Sequence, residues 1–114
     1  MKLVIQPTLL LKTPNYHQRS LDLSHIGNLL RSIEQGRTLA AAAKDLNLSY
    51  RTVWNELKEA EQELGCQFLE RIKGHGSKVT AAGKLLIHSL DRLDLQLSHE
   101  TQRLAADIGE KLAG

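Results

Sequence analysis

Thr38-Leu39-Ala40-Ala41-Ala42-Ala43-Lys44-Asp45-Leu46-Asn47-Leu48-Ser49-Tyr50-Arg51-Thr52-Val53-Trp54-Asn55-Glu56-Leu57-Lys58-Glu59-Ala60-Glu61-Gln62-Glu63-Leu64-Gly65 reads as two helices joined by a tight turn. Thr38 is a good cap for a short helix over 39–46, whose alanines are strong helix formers. Asn47 is one of the few non-glycine residue types that tolerate a left-handed backbone, so Leu46-Asn47-Leu48 is the turn. Ser49 caps a second helix over 50–64, and Gly65 closes it. A helix-turn-helix needs a small residue where its helices cross and a turn residue four positions later. It then needs an apolar turn residue and a core residue about six positions beyond the turn. Ala43, Asn47, Leu48 and Val53 occupy those places.

The helix over 50–64 carries the functional signal. With Val53 at zero and 100° per residue, Leu57, Ala60 and Leu64 fall within about 40° of it and form a core stripe. Arg51, Asn55, Lys58 and Gln62 fall within about 40° of the opposite side. Glu56, Glu59, Glu61 and Glu63 all sit on the flanks, so the outer face holds two cations and two amides and no carboxylate. Arg and Lys donate to guanine and Asn and Gln pair with adenine, whereas an acidic face would be repelled by phosphates. An ordinary solvated helix is also polar outside; the preceding turn is what favours DNA docking. Tyr50, Arg51 and Thr52, just after Ser49, would then point at bases and phosphates, and amides at a helix start also suit a phosphate.

Before this unit, residues 2–12 read as a strand bent or confined to an edge by Pro7, and 13–19 as a connector. A helix over about 21–35 follows, with Leu23, Ile26, Leu30 and Ile33 at amphipathic spacing and Gly36 ending it. After it, 68–72 and 77–80 read as two short strands around Lys73-Gly74-His75-Gly76. This hairpin carries Arg71, Lys73, His75 and Lys78. It fits a wing on phosphates or the minor groove, the alternative being a plain surface hairpin. Thr80 caps a last helix running to about 112 with Leu86, Leu90, Leu93, Leu97, Leu104, Ile108 and Leu112 along it. At 1.5 Å per residue it spans roughly 48 Å, more than the head can cover, so its leucine stripe calls for a partner helix. A two-fold homodimer is the default. A break near Ser98 to Thr101, folding the end back, is the alternative.

The expected fold is therefore mainly α with a small β hairpin. A winged helix-turn-helix head over 1–80 has an N-terminal strand, its helix-turn-helix at about 38–64 and its wing at 68–80, and a dimerisation helix spans 81–114. The chain has 114 residues, 41% hydrophobic, 25% charged and 4% aromatic, with net charge +2. The pI near 8.8 permits nucleic-acid binding without requiring it. No apolar run is long enough for a membrane span, and Met1-Lys2-Leu3-Val4-Ile5 is too short for a signal peptide, so a cytoplasmic, nucleoid-associated location is expected. Cys66 is the only cysteine, which excludes an internal disulfide. The histidines His17, His25, His75, His88 and His99 show no pair at metal-ligand spacing, so neither metal nor cofactor is expected. Ser49, Cys66 and the histidines form no nucleophile–base pattern, and nothing resembles a phosphate loop, which argues against an enzyme.

The run Ala42-Ala43…Leu46…Leu48-Ser49…Thr52-Val53…Leu57…Glu61…Leu64-Gly65…Phe68-Leu69-Glu70-Arg71…Val79-Thr80…Ala82-Gly83 resembles the DNA-binding domain shared by LysR-type regulators and the molybdate-responsive ModE regulators. The strand-like segment ahead of the first helix, and Ser49-Tyr50-Arg51-Thr52-Val53-Trp54, are similar to the ModE branch. The resemblance implies a bacterial dimer whose recognition helices enter successive major grooves, with Ser49, Tyr50, Arg51, Thr52, Asn55 and Lys58 at the DNA. Thr38, capping the helix before the turn, joins that expected contact set. Trp54 is expected as a wedge between helices, because aromatics bury large areas. Both families carry effector domains that this sequence lacks through Gly114, so molybdate sensing is not implied. The expected regulator is constitutive, controlled by abundance or a separate protein, or paired with a full-length relative. The expected partners are double-stranded DNA, a second copy and, as a further partner, another regulator. The competing reading is a protein-interaction module that pairs with or titrates another regulator without reading DNA.

Overall fold

The computed structural model describes residues 2–12, 21–74 and 76–114. In chain order the elements are β1 (Leu10–Leu11), β2 (Leu21–Asp22), α1 (Leu23–Glu34), α2 (Leu39–Asp45), α3 (Tyr50–Leu64), β3 (Leu69–Ile72), β4 (Gly76–Val79) and α4 (Ala81–Ala113). Short side-chain caps set the helix starts. Asp22 accepts from the His25 amide, Thr38 from Ala41, Ser49 from Thr52 and Thr80 from Gly83. Each satisfies a backbone donor that the first helical turn leaves unpaired. Asn47 has φ of 58° and Gly65 of 70°, the left-handed conformations that the two turns require.

The core lies where α1, α2 and α3 cross and the hairpin closes over them. Leu30, Val53 and Ala60 are 0% exposed, and Ile26, Leu29, Leu57, Ala42 and Ala43 are 1%. Alanines at the α2–α3 crossing let the helices approach closely, as the helix-turn-helix spacing requires. Two glycines bring α4 onto this core. A methyl at Gly27 of α1 would collide with Leu90. One at Gly83 would lie 2.7 Å from the Phe68 carbonyl oxygen and 2.6 Å from Val79 Cγ1. An Arg31–Asp91 ion pair also joins α1 to α4.

The expected strand over 2–12 shrinks to Leu10–Leu11, paired antiparallel with Leu21–Asp22. Leu9 is already tied to the start of α1: its amide donates to Ser24 Oγ at 2.8 Å and its carbonyl accepts from Leu23 N. With Pro7 just before, having no N–H, no ladder extends toward the N-terminus. Residues 2–7 instead border a groove with the far half of α4, lined by Val4, Ile5 and Pro7 on one side and Ala105 and Gly109 on the other. The expected connector 13–19 lies outside the described residues, and α1 begins at Leu23 rather than at about 21, Leu21 and Asp22 forming β2 instead. The first hairpin strand begins one residue later than expected, at 69–72, and the second lies one residue earlier, at 76–79, with Glu70 opposite Lys78.

The helix α4 is continuous, and the break at Ser98 to Thr101 does not occur. Those hydroxyls bond backward to carbonyls of their own helix, Ser98 to Leu95 and Thr101 to Ser98. Beside them, the Arg103 guanidinium hydrogen-bonds Glu100 and holds its carboxyl below the usual range. Among the described residues, no helix is long and apolar enough to cross a membrane.

Candidate nucleic-acid interface

Arg51, Asn55, Lys58 and Gln62 are all exposed on α3, and Val53, Leu57 and Ala60 are buried opposite them. Two positions differ from the wheel. Leu64, in the last turn of α3 just before the left-handed Gly65, is 42% exposed. Glu61, expected on a solvated flank, is 7% exposed. Its Oε2 accepts from the Phe68 amide at 2.7 Å and the Leu69 amide at 3.3 Å, and its Oε1 takes the Lys58 ammonium at 3.1 Å. A buried carboxylate is tolerated because its oxygens are satisfied, and it anchors the root of the wing to α3.

Thr38 and Ser49 are exposed, but their side chains are engaged as caps. Ser49 Oγ also lies 2.8 Å from Thr52 Oγ1, so Ser49 and Thr52 form one hydroxyl pair at the start of α3. Tyr50 is 43% exposed and stacks on Trp54, with ring centroids 6.3 Å apart and planes 12° from parallel. Arg71 lies over the same Trp54 ring, its Cζ 5.5 Å from the centroid, and its Nη2 reaches the Tyr50 hydroxyl at a long 3.4 Å. Lys58 Nζ is 4.5 Å from that centroid. Trp54 is thus half-buried against the core, as a wedge would be, and also faces the wing. Lys73 and Lys78 are exposed on the hairpin; His75 lies outside the described residues.

Sequence reasoning missed Glu61 and the wing-facing role of Trp54. The helical wheel groups them but does not say what that flank meets. Tyr50, Glu61, Trp54 and Lys58 fall at about 60°, 80°, 100° and 140° from Val53, one flank of α3 between core and outer face. The tail residues also divide. Leu90 is buried against α1 and Leu86 packs on the core of its own chain, so these two expected dimer contacts are already covered. Leu93 and Leu97 are half-buried, while Leu104 and Ile108 are 44% and 42% exposed. Among the described residues, no group of three or more His, Cys, Asp or Glu side chains could hold a metal ion.

Three helices with a two-stranded wing and a long following helix make this a winged-helix fold of the kind found in DNA-binding domains. Residues 28–84 match the family of bacterial regulatory helix-turn-helix proteins, lysR family, and the chain belongs to it. The DNA-binding domain of CbnR, solved in complex with DNA, is similar at 27% identity and TM-score 0.55, over 81% of this chain and 98% of that one. CbnR itself, a LysR family transcriptional regulator, is similar at 27% identity and TM-score 0.57 over 74% of this chain. Full-length LysG from Corynebacterium glutamicum shares the fold at 22% identity and TM-score 0.59 over 79% of this chain. The chain spans 28% and 30% of those two longer proteins. No protein with a curated description matches. These matches are LysR-type and lend no support to the ModE branch.

Proposed function

We propose that this chain binds double-stranded DNA as a homodimer and regulates transcription. In this reading α3 lies in the major groove, and the β3–β4 wing touches the backbone or minor groove. The observation that carries it is the exposed, carboxylate-free face of Arg51, Asn55, Lys58 and Gln62, with Arg71 of the wing beside it over Trp54 and Lys73 and Lys78 exposed elsewhere on the hairpin. The DNA complex of the similar CbnR domain supports it. Leu93, Leu97, Leu104 and Ile108 are the proposed dimer contacts, with Leu86 and Leu90 serving mainly the fold of their own chain.

The test is Arg51→Ala combined with Lys58→Ala. Loss of both cations should weaken duplex binding at least tenfold, since a good base contact contributes about 1–3 kcal/mol. Arg51 is exposed, whereas Lys58 also pairs with the buried Glu61, so folding of the variant is checked by circular dichroism and Arg51→Ala alone, expected to weaken binding in the same direction, is measured beside it. Unchanged affinity would remove α3 as the reading element. Absence of any duplex binding by the wild type would favour the interaction-module reading.

A further inference from the structure

Trp54 is the only tryptophan in the chain, and three neighbours converge on it from two elements. Tyr50 stacks on it from one turn earlier in α3, Lys58 sits 4.5 Å from its ring centroid one turn later, and Arg71 lies over it from β3. Lys58 is in turn bonded to Glu61, which binds the Phe68 and Leu69 amides at the start of the wing. The stripe Tyr50–Trp54–Lys58–Glu61 therefore runs the length of α3 and is joined to the hairpin at both ends.

Beyond assigning α3 and the wing to DNA, we infer that Trp54 is a positioning residue: its ring holds Arg71 and Lys58 in fixed register, so that helix and wing meet the duplex as one unit. This rests on the DNA-binding reading. Arg71 and Lys58 remain exposed while held; Lys58 also pairs with Glu61, and Arg71 offers its charge to phosphates. A planar guanidinium stacks on an aromatic face and keeps its N–H fork free at the edge, which a lysine ammonium does not. Ordering a long cationic side chain before binding moves that entropic cost from association into folding.

The experiment is a double-mutant cycle in duplex affinity over wild type, Arg71→Ala, Trp54→Ala and the double variant, with Trp54→Phe alongside. Arg71→Ala should weaken binding about tenfold in the wild-type background but less than about threefold beside Trp54→Ala, the coupling expected of residues in contact. Trp54→Phe, which keeps a flat ring, should bind like wild type. Equal losses from Arg71→Ala in both backgrounds would overturn the inference while leaving DNA binding intact. A wild type that binds no duplex would overturn the DNA-binding reading and this inference with it. Should Trp54→Ala fail to fold, the Trp54 emission of the free protein serves instead. Arg71→Ala, at an exposed site, should change that emission, and an unchanged spectrum would contradict the stacking.

Discussion

Glu61 shows how one side chain joins two elements. Its carboxylate takes the amides of Phe68 and Leu69, and Glu61→Ala leaves both without a partner in a buried site. The expected cost is about 2–4 kcal/mol, read as a Tm lower by about 10–20 °C in thermal denaturation. Gly83 is fixed by space. With 2.7 Å from its would-be Cβ to the Phe68 carbonyl oxygen, backbone must shift, and Gly83→Ala should destabilise by about 1–3 kcal/mol in a urea titration. Caps and turns such as Thr38, Asn47, Ser49 and Thr80 were legible in the sequence because their partners lie within three residues. Glu61 was not, because its partners lie seven and eight residues on, across a turn, and its wheel position falls between inside and outside.

The elements divide the same way. The helices α2, α3 and α4 were legible to within a residue or two, because periodicity and caps agree. The N-terminal segment was not: its apolar residues suit a strand, yet Leu9 is captured by the start of α1 and the ladder ends at Leu10. In α4 the leucine stripe was legible, but not its division between own core and exposed surface. That depends on how far α1 reaches along it, a matter of Gly27 accepting Leu90. Leu90→Ala should therefore lower folding stability, by about 2–5 kcal/mol. Leu104→Glu with Ile108→Glu should leave the head folded and convert a dimer to a monomer, read by light scattering on a sizing column. A dimer that survives the double glutamate variant would place the contact elsewhere.

The molecule extends 59 × 34 × 25 Å with a radius of gyration of 16.7 Å. A compact chain of this length would have about 13 Å, so α4 stands out from the head as its length predicts. Pairing two such tails would carry two α3 helices toward one side of a duplex, where half-sites lie about 34–36 Å apart. The winged-helix head and the LysR-type resemblance were legible from ordered local motifs, but the ModE branch read from the N-terminal segment and Ser49–Trp54 was not supported; the coupling of wing to helix through Trp54 needed three dimensions. The central claim, that this surface binds duplex DNA through its cations, is tested most directly by fluorescence anisotropy on a mixed-sequence duplex over a salt series. The account predicts affinity falling linearly on log–log axes, with a slope of about −4 to −8 for several phosphates neutralised per dimer. Absence of binding at low salt, or affinity independent of salt, would contradict it.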